Sequence, residues 1–300
     1  FLDGDGTAAA TEERIGNRSG DGILLVSAKS GLSGFGKLTV GADGTIRNEQ
    51  ITSMEEKHPG VLGTVSSVRT AARERMNDSL ATVWQDLIAT DLYDPGERLV
   101  ETSETNLGDL IADAVRTYTG ADAALIGAEF LIGSLKAGEI SYNDLLRILP
   151  DENRLKIVEV TGEVLLDALE HSVRLAPEGC TGFLQISGLT FALDLSVLST
   201  VNADDAGNFH GILGERRVSD VVIGGEPLDP EKTYTLALPA PLLENGVGGY
   251  TMFSGARVIS SDAGTDLLAT LYYLTVTRSG AVDDTYQNVR GDGRIRVIGE

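Results

Sequence analysis

The side chains that could carry chemistry near neutral pH are few and scattered. Histidine occurs three times, at His58, His171 and His210, without the HxH or HxxH spacing that brings two imidazoles onto one metal ion. His171 lies on an apolar helical pattern, which predicts a buried, hydrogen-bonded histidine, whereas His58 and His210 stand beside proline or glycine and read as loop residues. Cys180 is the single cysteine, so no internal disulfide can form. No GxSxG elbow and no Cys–His pairing motif offers a nucleophile, so no catalytic residue is assigned. Two strings mimic phosphate chemistry. Asp3-Gly4-Asp5-Gly6-Thr7 fits DxDGT, in which one aspartate attacks phosphorus and the other handles the proton. Those aspartates must end a buried parallel strand, and Phe1-Leu2 is too short to supply one, so a polar turn is expected. The acidic spacing of a calcium loop is missing as well. Gly31-Leu32-Ser33-Gly34-Phe35-Gly36-Lys37 fits GxxxxGK, but Leu38 stands where a P-loop needs a hydroxyl for Mg²⁺. Leu38–Val40, Asp43-Gly44 and Thr45-Ile46 then read as strand, turn and strand, so a β-hairpin is expected there.

Composition narrows the partners. The net charge of −21 repels nucleic acid and anionic membranes, and an apolar content of 42% suits a folded globular chain. No apolar run reaches membrane-spanning length. Because the sequence opens at Phe1, a fragment or processed product of a longer protein is expected.

The elements that would position any site follow from periodicity. Residues 1–21 are polar and glycine-rich and read as loose, and Ile23–Ser27 reads as a short strand. Pro59-Gly60 reads as a break. Val65, Val68, Ala72, Met76, Leu80, Val83, Trp84, Leu87 and Ile88 then predict one long helix over residues 64–90, ended by Asp94-Pro95-Gly96. Leu107, Leu110, Ile111, Ala114, Val115 and Tyr118 place one apolar stripe on a second helix, with Asn106 as its expected N-cap and Asp109 in its first turn. Strands are expected at Ala121–Ile126, Leu155–Val160, Leu189–Leu193, Val218–Ile223, Tyr234–Leu238 and Ile295–Ile298. Ser141 with Asp144 predicts a capping box, Val164–Val173 and Leu267–Val276 predict helices, and residues 199–217 read as a loop insertion. Strands and helices interleave without regular βαβ spacing, which points to an α+β fold with a mixed sheet and packed helices.

Glu104-Thr105-Asn106-Leu107-Gly108-Asp109-Leu110-Ile111-Ala112-Asp113-Ala114 resembles the opening of the C-terminal domain of the 5′-nucleotidase and UDP-sugar hydrolase family. Ala137–Leu145 up to Leu149-Pro150, Val160–Val173, Phe183–Leu189, Gly225–Tyr234 and Asn245–Tyr250 resemble further segments of that domain in the same order, so the likeness spans residues 97–298. The resemblance implies three parts: the last hairpin of a metallophosphoesterase domain within 1–60, a linker helix over 61–95, and the C-terminal domain over 96–300. It implies two-metal hydrolysis of phosphate esters, with the divalent metals held by an N-terminal domain whose ligand motifs this chain lacks, and hence no metal or cofactor site here. It also implies a nucleoside pocket, with a base stacked between aromatics and a ribose bound by polar side chains. Carried over by position, those side chains fall at Glu101, Ile126 (or Gly127), Leu131 (or Ile132), Asp151, Leu242 and Gly248, none of which is the residue the family uses. Asn245, Gly246, Gly249 and Tyr250 of the pocket loop are kept. The pocket is expected to persist as a cleft with Glu101, Asp151, Leu131 and Leu242 on its rim and Glu129 near. The implied role is the substrate-binding half of a secreted, periplasmic or cell-surface phosphoesterase with a degenerate pocket. Its partners would be the N-terminal metallophosphoesterase domain and a weakly held nucleoside or sugar. The alternative is a non-catalytic extracellular interaction or structural module derived from that domain.

Overall fold

The computed structural model describes residues 11–16, 22–27, 35–51, 59–91, 94 and 96–299. The DxDGT string, Gly31–Gly34 of the GxxxxGK string and His58 lie outside the described residues. The chain divides into two compact units, Phe1–Ala72 and Arg73–Glu300.

In the first unit, β1 (Thr11–Gly16) pairs antiparallel with β2 (Gly22–Ser27), and β3 (Phe35–Val40) with β4 (Ile46–Ile51). Gly44 makes the β3–β4 turn at φ 80°, and the Asp43 side chain accepts from the Thr45 amide at 3.0 Å. Lys37 is a strand residue 3.8 Å from the Glu49 carboxylate across the hairpin, as a hairpin rather than a phosphate loop requires. Pro59 opens helix α1 (Pro59–Met76) instead of breaking the chain, because the first helical turn needs no N–H from it.

That helix stops earlier than its periodicity predicts. Asn77 and Asp78 turn the chain, and β5 (Ser79–Val83) follows, between β7 (Gly138–Ser141) and β17 (Ala281–Val282). Val83 and Leu87, four residues apart, fit both periods over so short a run. The buried alternation of Ala81 and Val83, and the Leu87 bridge to Leu135, decide for strand.

Helix α2 (Asn106–Thr119) is the centre of the second unit. Leu107, Leu110, Ile111, Ala114 and Val115 are fully buried, as the stripe predicts. The N-cap is Thr105, whose hydroxyl accepts from the Gly108 amide at 3.1 Å, and not Asn106. Asn106 is drawn into the core instead, where its amide group bonds Ile88 N, Asp86 O and Tyr286 O. Gly120 closes the helix in the left-handed region at φ 69°. Against α2 lies a five-stranded sheet in the order β16 (Arg257–Ser260), β8 (Leu155–Thr161), β15 (Thr233–Pro239), β6 (Ala123–Gly127), β9 (Leu184–Ser187). Only the β15–β6 pair in it is parallel.

A second sheet runs β14 (Glu226–Pro227), β13 (Val218–Ile223), β10 (Leu189–Asp194), β18 (Ile295–Ile298), with β18 parallel to β10. Helices α3 (Tyr142–Ile148), α4 (Gly162–Ser172), α5 (Ala240–Glu244) and α6 (Asp266–Tyr272) complete the mixed architecture. The Ser141–Asp144 capping box forms, with both reciprocal bonds present. Residues 199–217 are not an open loop. They carry a hairpin of β11 (Val201–Ala203) and β12 (Phe209–Ile212), whose tip is tied by the Asp204 carboxylate to the Ala206 and Asn208 amides. Its anchor is one buried apolar residue, Phe209, too sparse a signal to read as a strand.

Candidate functional site

Segment 179–183 joins several of the positions carried over from the family. Cys180 N donates to Glu101 O at 2.9 Å, Glu129 N donates to Thr181 O at 3.0 Å, and the Tyr250 hydroxyl donates to Gly182 O. Gly182 and Gly248 pack almost backbone to backbone, since a Cβ on Gly248 would lie 3.2 Å from Gly182 Cα. Glu101, Glu129, Gly248 and Tyr250 are therefore brought together around one short segment.

Arg98 is the residue that sequence reasoning missed. Its Nε donates to the Glu101 carboxylate at 2.6 Å, and one terminal nitrogen donates to Ala128 O and Leu131 O at 2.8 and 2.9 Å. Arg98 thereby clips Glu101 to the turn that carries Glu129. The one signal in the sequence is the i, i+3 spacing of Arg98 and Glu101. Glu129 has both carboxylate oxygens buried with no hydrogen-bond partner. Burial first, and then the Glu101 charge, push it up to about 7, against the opposing pull of its own backbone amide and of Arg174 and Arg98.

The remaining carried-over positions separate. Ile126 on β6, Leu131 and Leu242 on α5 are fully buried core residues, so Leu131 and Leu242 do not stand on a rim as expected. Apolar side chains at those places are drawn into the core by the area they hide from water. Asp151 is exposed, and its charge is felt by Asp266 on α6. Among the described residues, a concavity of about 440 Å³ lies between the end of α2 and the β13–β14 turn. Others of about 390 and 260 Å³ lie near Arg294 and near Arg147. None of the three is lined by a carried-over position.

The kept loop is fixed from behind by His171. Gly246, Gly248 and Gly249 take φ of 59°, 70° and 87°, which side chains resist. His171 Nε2 lies 2.8 Å from Gly248 O and must donate to it, which leaves Nδ1 an acceptor with no partner. So the histidine is buried as expected but only half satisfied. Burial, with the nearby Arg174 charge, lowers it to about 4 and keeps it neutral. Its ring meets Tyr250 and Phe209 edge-on at 5.0 and 5.6 Å. His210 lies on strand β12, exposed, 3.4 Å from Asp204.

A second cluster forms on the motif that opens α2, and its partners come from the chain's C-terminal end. Glu104 accepts from Gly293 N at 3.0 Å and from Ile295 N at 2.7 Å. Asp109 accepts from Asp292 N at 3.1 Å. Asp113 takes both terminal nitrogens of Arg294 at 2.8 and 2.9 Å, the Tyr286 hydroxyl at 2.8 Å and the Ser187 hydroxyl at 2.5 Å. The carboxylates of that motif thus hold the chain end rather than a ligand.

Among the described residues no group of three or more His, Cys, Asp or Glu side chains is placed to hold a metal ion.

A profile of the family described as "5′-nucleotidase, C-terminal domain" matches residues 87–255. Protein UshA of Escherichia coli is 29% identical over 146 residues, which is 49% of this chain and 22% of that protein. A 5′-nucleotidase of Vibrio vulnificus is 26% identical over 220 residues, 73% of this chain and 34% of that one. This chain thus spans a minor part of the curated relatives it matches. In structure it is similar to a 5′-nucleotidase precursor from Thermus thermophilus, with TM-score 0.62, 26% identity, and coverage of 96% of this chain and 54% of that chain.

Proposed function

Because this chain belongs to the 5′-nucleotidase family, whose C-terminal domain it carries, we propose that it is the substrate-facing half of a metal-dependent phosphoesterase in which the nucleoside pocket is degenerate. The metal ions and the hydrolytic step belong, on this reading, to an N-terminal metallophosphoesterase domain of the same protein. A place outside the cytoplasm is part of the proposal. It is supported by the precursor form of the Thermus relative.

The observation that carries the reading is the split between frame and contents. The Asn245–Tyr250 loop keeps its glycine backbone and its Tyr250 anchor. The positions that the resemblance assigns to base and ribose hold core residues (Ile126, Leu131, Leu242) or a carboxylate already bonded to Arg98 (Glu101). Each lost stacking face removes roughly 1–3 kcal/mol of base binding. Glu129 and Glu101 lying close together further disfavour a phosphate-bearing ligand.

The test is phosphate release from AMP and UDP-glucose by this chain alone with added Mn²⁺, Zn²⁺ or Co²⁺. No release is expected. Metal-dependent release that survives repurification contradicts the reading, and Asp3→Asn with Asp5→Asn would then show whether the DxDGT string is its source. The second reading, a non-catalytic interaction or structural module, is favoured by the partnerless Glu129 oxygens, since a buried acid beside Glu101 disfavours a phosphate-bearing ligand. Sequence upstream of Phe1 separates the two: two-metal motifs support the enzyme, and their absence from the whole protein supports the module.

A further inference from the structure

We propose that Glu104 and Asp109 hold one proton between them, and that this shared proton lets the segment from Asp292 to Ile298 close on helix α2. Loss of the proton at alkaline pH would open the segment.

The geometry sets up the conflict. Asp109 is fully buried and Glu104 nearly so, at 3% exposure. Both oxygens of Glu104 accept amides of the C-terminal segment, and so does Asp109 Oδ2. Asp109 Oδ1 is left without a hydrogen bond, although Arg294 Nε is 3.3 Å away and the Glu104 carboxyl lies against it. Facing the pair, Asp113 comes from α2, Asp292 and Arg294 from the C-terminal segment, and Arg290 points to the Ser103 hydroxyl. Tyr286 bonds Asp113 and meets the Tyr273 hydroxyl. Arg294 is the cation that ion-pairs with this cluster among the described residues, and its two terminal nitrogens are committed to Asp113.

Fully ionised, Glu104, Asp109 and Asp113 would set three negative charges against one guanidinium away from water. Two carboxylates in such contact do not both ionise; one keeps its proton and donates to the other. That donation gives Asp109 Oδ1 the bond it lacks. Burial, and then the neighbouring Glu104, raise Asp109 above the ordinary carboxylate range, with Arg294 pulling the other way. The sign follows. The closed state keeps a proton that the open state releases above its ordinary carboxylate pKa, so closure weakens as pH rises toward the raised value. Strand β18 is an edge strand paired only with β10, so little besides this clasp and one ladder holds it.

The experiment is amide hydrogen exchange on the full chain between about pH 6 and about pH 9.5, with rates corrected for intrinsic exchange. Protection at Gly293 and Ile295 is expected to fall about tenfold or more across that range, while amides of β6 keep theirs. Asp109→Asn preserves the shape and offers Glu104 an N–H that is not lost with pH, so its protection should stay flat. Unchanged protection at Gly293 and Ile295 in the unmodified chain would overturn the proposal, whether or not the variant folds. A fall that persists in Asp109→Asn, or one shared by β6, would overturn it as well.

Discussion

Two groups of carboxylates, whose nearest members Glu101 and Glu104 are three residues apart in sequence, are treated differently. On the Glu104–Asp113 side, the acids receive amides, hydroxyls and a guanidinium from residues 187 and 286–295. On the Glu101–Glu129 side, one acid is tied to Arg98 and the other has no partner for either oxygen. A buried acid that gains donors stabilises the fold, and one that gains none destabilises it. The contrast teaches what the family motif is for in this chain. Its carboxylates close the C-terminal end onto α2, and that need persists whether or not a ligand binds. The positions carried over from the family take no part in that clasp: Ile126, Leu131 and Leu242 pack in the core, and Glu101 is tied to Arg98.

The largest way to test the contrast is to break the clasp. Asp113→Ala would take from Arg294 the carboxylate that both its terminal nitrogens bond and remove acceptors from Tyr286 and Ser187. A loss of about 3–5 kcal/mol is expected in denaturant unfolding. A loss below about 1 kcal/mol would mean that the clasp is incidental.

Glu129→Gln should act in the other direction. The folded state holds the Glu129 proton up to about 7, above its ordinary value of 4.5. Stability therefore falls as pH rises from the lower value through the higher, and the penalty remains above it. The variant should match the parent near pH ~4 and exceed it by on the order of 1–3 kcal/mol near pH ~8, read from paired melts. A variant less stable than the parent at the higher pH would reveal a donor for Glu129 and erase the contrast.

Lys37→Ala should do least. Its ammonium is exposed and 3.8 Å from an exposed Glu49. A change within about 0.5 kcal/mol is expected, with no change in any ATP affinity. A tenfold loss of affinity, about 1.4 kcal/mol, would revive the phosphate-loop reading.

Legibility in the sequence follows the range of the interactions. The α2 stripe, the Ser141–Asp144 box and the β3–β4 hairpin depend on residues a few positions apart, and each forms as read. The end of α1 was illegible because Val83 and Leu87, four residues apart, satisfy helix and strand spacing alike, and pairing with β7 and β17 decided between them. Asn106 looked like a cap because its partners, Asp86 and Tyr286, are remote in the chain. The clasp was invisible for the same reason, since Glu104 and Ile295 are 191 residues apart. At the candidate site, the residue types at the carried-over positions were legible, but their fates were not. Nothing local distinguishes Leu131 on a rim from Leu131 in a core, and Arg98 acts through backbone carbonyls that carry no sequence signal.

The most direct test of the account is calorimetric titration of the unmodified chain with adenosine, AMP and UDP-glucose. Adenosine and AMP should both bind more weakly than about 1 mM, which corresponds to less than about 4 kcal/mol, and an aromatic at position 151 (Asp151→Phe) should not rescue them. Micromolar binding of any of the three ligands would contradict the account. It would show that the residues carried over from the family are misplaced and that the pocket is intact.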